Sequence, residues 1–232
     1  MWMIFDPLYI MMLLPCMIIS GLTSLWVKGA FKKYSRIPTK GGMSGARVAE
    51  AILSWHGIDD VRIEQSKGFL SDHYDPASKA LRLSPQNYSG TSVAAVGIAA
   101  HEVGHAIQHA EAYAFLTIRS KMVPAVQLSS NFSWWFIMLG IFLQIQGLAL
   151  VGVILFAVAT LFSIVTLPVE FDASRRAMNT LRDGQILVGE ELTGAGRVLR
   201  AAAATYIAAA ITAIVQLLYF LIRSGLLGGG DD

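Results

Sequence analysis

Residues Met122 to Thr166 form a run of 45 residues without a formal charge. A helix needs about 20 apolar residues to cross the hydrocarbon core of a bilayer, so this run has the length of two spans. Near its middle the run is divided by the short polar sequence Gln144-Ile145-Gln146-Gly147. The run therefore predicts a transmembrane hairpin within residues 122–168, made of two helices joined by a very short turn.

Two further segments are apolar enough to cross a membrane. Residues 1–27 carry one charge, Asp6, and residues 201–223 carry none before Arg223. The whole chain is 54% hydrophobic and only 15% charged, whereas soluble domains are about a quarter charged. We therefore expect a mainly α membrane protein with about four transmembrane helices, followed by a flexible tail at residues 224–232.

Basic residues follow the first apolar segment rather than precede it: Lys28, Lys32, Lys33, Arg36 and Lys40. A cleavable signal peptide carries its positive charge before the apolar run. The positive-inside rule therefore predicts an uncleaved anchor with its N-terminus outside and residue 28 onward in the cytoplasm. The net charge of +2 and the lack of basic clusters interleaved with aromatic residues predict no binding of nucleic acid.

The sequence His101-Glu102-Val103-Gly104-His105 has the spacing of a metal site. It falls in a segment that we predict to be helical from about Ser92 to Ile118. Positions i and i+4 share a helix face, so His101 and His105 can direct both imidazoles at one divalent metal. Glu102 can then reach a water on that metal without being a ligand. This is the H-E-x-x-H pattern of zinc metallopeptidases, with Glu102 as general base.

A zinc peptidase also needs a third protein ligand. Glu170 is the best candidate because it follows directly after the second span of the predicted hairpin, at the start of region 169–200. Two spans between His105 and Glu170 place both on the same side of the membrane. Asp172 is the rival ligand, and Glu111 is a more distant one. His109, four residues after His105, is interpreted as a supporting or surface residue.

Residues 28–121 form the largest polar part and predict a small cytoplasmic α+β domain of zincin type. An amphipathic helix is expected from Ser44 to His56, and alternating patterns predict strands at 61–64 and 79–84. These strands could pair, and the second, just before the motif helix, could offer its edge to an extended peptide. The alternative is a plain structural strand.

The turn-rich stretch between the two predicted strands contains Asp72, His73 and Asp75. Turn chemistry is the favoured interpretation of these three residues, because short polar side chains bond to the backbone in turns. A second metal site and a contact that supports the zinc histidines are the alternatives.

Several motifs in this order resemble the YugP family of bacterial membrane zinc metallopeptidases: His101-Glu102-Val103-Gly104-His105-Ala106-Ile107-Gln108, Leu70-Ser71-Asp72-His73-Tyr74-Asp75-Pro76, Leu81-Arg82-Leu83-Ser84-Pro85 and Leu167-Pro168-Val169-Glu170-Phe171-Asp172-Ala173-Ser174. The resemblance covers nearly the whole chain. It implies a peptidase in the bacterial cell membrane with Zn²⁺ as cofactor. A more remote resemblance is to the HtpX and CAAX-prenyl-protease group, whose ligand Glu is commonly followed four residues later by Asp. Here that position is Ser174.

The function expected from these features is a membrane-embedded zinc endopeptidase, with a peptide or membrane protein as substrate and the lipid bilayer as partner. The alternative is a catalytically inactive membrane scaffold that holds a structural zinc. Glu102 favours the enzyme, because a purely structural site would not need it. A transporter is disfavoured because the predicted spans contain no ionisable residue apart from Asp6.

Overall fold

The computed structural model describes residues 6–68 and 71–224, and this part of the chain contains seven helices and a three-stranded sheet. The predicted tail at 224–232 lies outside the described residues except for Ser224. In chain order the elements are α1 (Pro7–Tyr34), α2 (Gly45–Trp55), β1 (Arg62–Gln65), β2 (His73–Asp75), β3 (Ala80–Leu83), α3 (Pro85–Tyr88), α4 (Val93–Ala110), α5 (Ala114–Phe142), α6 (Gln146–Asp183) and α7 (Glu190–Arg223).

Three of the described helices, α1, α6 and α7, are long and apolar enough to cross a membrane. Helix α5 is 29 residues long but is not among them. Its middle contains Gln127, Asn131 and several serines, which lower its mean hydropathy. The protein is therefore mainly helical with three helices of membrane-crossing character and a small sheet, and the fourth predicted span stays a prediction.

The chain divides into two compact units. One, here called the apolar unit, comprises the described parts of Met1–Thr23, Ile118–Leu167 and Thr205–Asp232. The other, the polar unit, comprises Ser24–Thr117 and Pro168–Ala204. Since α6 is one continuous helix through Pro168, its apolar half belongs to one unit and its polar half to the other. Every candidate site residue predicted above lies in the polar unit.

Within the apolar unit, α5 and α6 form a tight antiparallel hairpin. The turn between them covers residues 143–145, where the polar break predicted it, and Gln144 has a positive φ of 57°. A Cβ atom on Gly140 would lie 2.3 Å from the backbone nitrogen of Ala149, and one on Gly152 would lie 2.6 Å from that of Ile137. The two glycines therefore allow the helix backbones to touch.

The sheet of the polar unit has the strand order β1-β3-β2. Strand β1 pairs with β3 in parallel, and β2 pairs with β3 in the antiparallel sense. Both predicted strands are confirmed, and they pair with each other. The expectation that the strand before the motif helix has a free edge is wrong, because β3 is the central strand. The free edges belong to β1 and β2.

Helix α2 begins and ends where the sequence predicts. The Ser44 hydroxyl accepts a hydrogen bond of 3.3 Å from the backbone N–H of Arg47, and Gly57 follows the helix with a φ of +65°. Its buried face includes Val48 and Ile52, whereas Trp55 is 57% exposed and lies outside that face.

Helix α4, which carries the histidine motif, is the buried centre of the polar unit. It begins at the N-cap Ser92, whose hydroxyl accepts from the backbone N–H of Ala95. Most of its residues are small and apolar, so neighbouring helices can approach closely. The predicted continuation to Ile118 is wrong, because the chain turns at Ala112 with a φ of 51° and the Tyr113 N–H bonds back to the Gln108 carbonyl.

Candidate metal centre

Three side chains of the polar unit converge on one point. His101 and His105 come from α4 and Glu170 from α6, and one ligand atom of each lies within 4.8 Å of the others. Glu170 Oε2 is 3.3 Å from His101 Nε2 and 3.7 Å from His105 Nε2. Tetrahedral zinc with bonds of about 2.0–2.1 Å places its ligand atoms about 3.3 Å apart. Two imidazole nitrogens and one carboxylate oxygen at these separations fit a zinc ion.

The convergence depends on a close approach between α4 and α6. His101 and His105 are one helical turn apart, and their ring centroids are 4.8 Å apart. Between them lies Gly104, where a Cβ atom would stand 2.5 Å from the carbonyl oxygen of Ala173 in α6. Because residue 104 has no side chain, the turn that carries Glu170 can lie directly against the histidines.

His105 is held on its far side by Gln108, a residue that the sequence analysis did not single out. His105 Nδ1 lies 3.0 Å from Gln108 Oε1. The amide nitrogen of Gln108 donates to the Val169 carbonyl at 2.8 Å and to Asp172 Oδ2 at 2.9 Å. The sequence did contain a signal for this contact, namely a polar residue three positions after His105 in a mostly apolar helix.

His101 has a different partner at its own Nδ1. Ser174 Oγ of α6 lies 3.1 Å from this nitrogen. Ser174 is four residues after Glu170, the position at which the remotely similar membrane peptidases commonly carry Asp. A neutral hydroxyl therefore makes the contact to His101, and Nε2 of both histidines is left facing Glu170.

The two rival ligands are engaged outside the convergence point. Asp172 is only 5% exposed and binds Gln108, Arg175 and Arg176, with Arg176 Nε at 2.5 Å. Glu111 is exposed and accepts from Arg176 Nη1 at 2.6 Å. Among the described residues, neither belongs to the group that could hold a metal.

Glu102 lies on α4 beside His101 and is 8% exposed. Burial raises its pKa above the ordinary carboxyl range, although the two neighbouring histidines oppose this shift. Burial by itself lowers the pKa of His105, but the neighbouring carboxylates of Glu170 and Glu102 raise it overall. The site therefore combines a buried carboxyl group of raised pKa with three side chains that could hold a metal.

Strand β2 contacts the motif helix through Tyr74. The Tyr74 hydroxyl lies 2.8 Å from Nδ1 of His109. Burial raises the pKa of Tyr74 to about 12, so its hydroxyl stays protonated at neutral pH. His109 and Glu102 are seven residues apart, about two turns, so both project from the same side of α4. His109 is not part of the metal-binding group but joins β2 to the side of α4 that carries Glu102.

In the Asp72, His73 and Asp75 cluster, Asp75 makes the turn contacts favoured from the sequence, whereas Asp72 bonds to residues 12 and 15 positions further along the chain. Asp72 accepts from the backbone N–H of Ser84 at 2.7 Å and from the Asn87 amide at 2.9 Å. Asp75 accepts from the backbone N–H of Ala77 at 3.0 Å, and His73 is exposed. Asp72 thereby ties the turn to the segment that leads into α4.

No solved structure matches this chain. Among proteins of known sequence, the chain is similar to "Putative membrane protease YugP" of Bacillus subtilis (strain 168), with 39% identity over 225 residues. The match covers 97% of this chain and 99% of that protein. The family model described as "Putative neutral zinc metallopeptidase" matches residues 9–225. The chain therefore belongs to this zinc metallopeptidase family, as the sequence motifs indicated.

Proposed function

We propose that this protein is a membrane-embedded zinc endopeptidase of the gluzincin type, in which two histidines and a glutamate from a separate helix hold the metal. The observation that carries the proposal is the convergence of His101, His105 and Glu170 within 4.8 Å, with Glu102 beside them. Membership of a zinc metallopeptidase family supports it independently.

The residues present fit the metal that the family implies. His101 and His105 would hold it through Nε2 and Glu170 through Oε2, because both Nδ1 atoms already have partners. When bound, zinc polarises the scissile carbonyl and lowers the pKa of a water in the remaining position.

Glu102 is the general base of the proposed reaction. It lies one residue beyond His101 and so about 100° further round the helix, which lets it face the open side of the site rather than the ligand side. Its carboxylate accepts the proton of the attacking water and later passes that proton to the amine that leaves. The raised pKa caused by burial makes the carboxylate a better proton acceptor than an exposed one.

The free edge of β2 is the proposed binding site for the substrate. Within the part of the chain that the structure describes, strand β2 pairs with β3 alone, so its other edge can pair with an extended peptide by β-augmentation. The contact between Tyr74 and His109 places this strand along the side of α4 that carries Glu102. We thus assign to β2 the substrate edge first predicted for β3, with an extended segment of a peptide or membrane protein as substrate.

We further propose that the chain is a multi-pass protein of the bacterial cell membrane, with four spans, α5 being the fourth, and its site toward the cytoplasm. The basic residues that follow the apolar part of α1 are all exposed: Lys28, Lys32, Lys33, Arg36 and Lys40. They support a cytoplasmic position for the chain after residue 28. The close packing of α5 against α6 supports a hairpin that crosses the membrane twice.

The scaffold alternative requires a structural zinc, and structural zinc sites are closed by four protein ligands. The group found among the described residues has three. A three-ligand site with a carboxylate beside it supports the enzyme over the scaffold.

The test uses the full chain purified in detergent. Glu102→Gln keeps the size of the side chain but removes the base, so it should retain one zinc per chain and lose proteolysis by about 10²–10⁴-fold. The readouts are zinc content and cleavage of an unfolded protein substrate. Zinc absent from the parent protein would refute the metal site, and proteolysis retained by Glu102→Gln would refute the role of Glu102.

A further inference from the structure

We propose that Gln108 is a positioning residue of the metal centre, which sets the tautomer of His105 and ties it to the helix segment that carries Glu170. This inference rests on the proposed function, because it concerns the same site. Gln108 would act through His105 and would not touch the substrate.

The Gln108 side chain is fully buried, with 0% exposure. A buried amide is costly unless its polar atoms are hydrogen-bonded. Both atoms are bonded here: the oxygen faces His105 Nδ1, and the nitrogen donates to Val169 and Asp172. The residue is therefore a complete polar bridge between α4 and α6.

The hydrogen-bond partners of Gln108 allow one orientation of its side-chain amide. The two acceptors on α6, a backbone carbonyl and a carboxylate, both require N–H groups. If the amide were reversed, its oxygen would face two other acceptors. The oxygen must therefore point at His105, whose Nδ1 must be the donor. The lone pair of the imidazole is then on Nε2, the atom that lies 3.7 Å from Glu170 Oε2.

The two anchor points on α6 flank the proposed third ligand. Val169 immediately precedes Glu170 in the chain, and Asp172 follows it by two residues. Gln108 therefore holds His105 and the turn that carries Glu170 in one fixed relation. Because Arg175 and Arg176 bind Asp172, the carboxylate that anchors the amide is itself held in place.

The test is the variant Gln108→Met, which keeps a similar side-chain volume but cannot make the three hydrogen bonds. Loss of such an outer contact typically weakens metal binding by about 10–100-fold. We expect this loss in zinc affinity, measured on the full chain by competition with a chelator. We also expect the absorption bands of the Co²⁺-loaded protein to shift, because the orientation of one ligand ring has changed.

The matched control is Asn87→Leu. Asn87 is also a buried amide, 2% exposed, but its partner is Asp72 rather than a histidine of the metal centre. This variant should lower thermal stability while leaving zinc affinity and the Co²⁺ spectrum as in the parent. Equal loss of zinc affinity in both variants would mean general loosening of the fold and would overturn the role of Gln108.

A measurement on the parent chain keeps the proposal testable even if Gln108→Met does not fold. Spectra of the zinc-loaded protein with ¹⁵N-labelled histidine should show His105 protonated at Nδ1, and a proton on Nε2 would overturn the inference. If the parent binds zinc and the Gln108→Met variant binds it with equal affinity, this inference is wrong but the proposed function stands. A parent that binds no zinc overturns the proposed function, and this inference with it.

Discussion

Gly104 of the motif helix lies against the backbone carbonyl of Ala173, and a Cβ atom on residue 104 would stand 2.5 Å from that oxygen. No side chain tolerates such a distance without movement of the backbone. On one helix the contact falls between His101 and His105, one residue before His105, and on the other it falls three residues after Glu170. The glycine inside the motif therefore determines how close the third proposed ligand comes to the first two.

Gly104→Ala should separate α4 from α6 at the metal centre. Overpacking of this kind typically costs about 1–3 kcal/mol, and the larger separation should also weaken zinc binding. Thermal unfolding and zinc content of the purified variant measure the two effects. Gly41→Ala is the control, since a Cβ atom there meets nothing within 4 Å. A Gly104→Ala variant with the stability and zinc content of the parent would show that the close approach is unimportant.

Glu170→Ala and Asp172→Ala should separate a metal ligand from a supporting residue. Removal of Glu170 deletes one of three ligand atoms, so we expect little or no zinc after purification. Removal of Asp172 deletes only an acceptor of Gln108 and the partner of two arginines, so zinc should remain but bind about 10–100-fold more weakly. Metal analysis and chelator competition provide the readouts, and zinc at full occupancy in Glu170→Ala would assign the third ligand elsewhere.

The sequence predicted those features of this site that depend on spacing within one helix or on position relative to the apolar segments. The i, i+4 spacing alone predicts that His101 and His105 share a face, and Glu170 was preferred to Asp172 because it follows directly after the second predicted span. Gln108 and Ser174 were not found as partners of the histidines. The contact of Ser174 with His101 spans 73 residues and that of Gln108 with Val169 spans 61, so no periodicity within one helix contains them. Gln108 and His105 are only three residues apart on α4, but the spacing does not by itself show that they bond.

The same distinction applies to the fold. Strands β1 and β3 were predicted because each alternates over four residues or more, whereas β2 has three residues and too short a pattern to recognise. Because β2 pairs with β3, the free edge that was expected of β3 belongs to β2 instead. The early end of α4 depends on the positive φ of Ala112, a conformation that alanine rarely adopts and that nothing in the sequence signals.

Asp75 should make the stability of the polar unit depend on pH. The hydrogen bond from the Ser78 hydroxyl, with others from Ala77 and Arg82, lowers the pKa of Asp75 to about 2. Since the pKa is about 3.9 in the unfolded chain, the carboxylate stabilises the fold above that pH, and this contribution disappears as the pH falls through about 2. We therefore expect Asp75→Asn to lower Tm at pH 5–7 by a few degrees at most.

The measurement is the difference in Tm between the parent and Asp75→Asn, both kept metal-free, from pH 7 down to about pH 2. The difference should shrink toward zero as the pH approaches 2. Glu50→Gln is the control, because the ion pair of Glu50 with Arg47 is solvent-exposed at 3.7 Å and such pairs contribute little. A difference for Asp75→Asn that is constant with pH would rule out the charge as its cause.

Single-cysteine labelling should test both the fourth span and the orientation. Cys16 is the single cysteine of the chain, so Cys16→Ala provides a background without thiols. Gln144 in the α5–α6 turn and Glu50 on α2 are both exposed, and the proposed topology puts them on opposite sides of the membrane. On intact cells, a membrane-impermeant maleimide should label Gln144→Cys, whereas Glu50→Cys should need permeabilisation first.

The two positions discriminate because one crossing, that of α5, lies between them along the chain. If α5 does not cross the membrane, both cysteines lie on one side and label under the same condition. If the orientation is inverted, Glu50→Cys labels on intact cells and Gln144→Cys does not. Labelling of both only after permeabilisation would mean that neither helix of the α5–α6 hairpin crosses the membrane, because His105 and Glu170 precede and follow the hairpin yet lie 3.7 Å apart and so share one side.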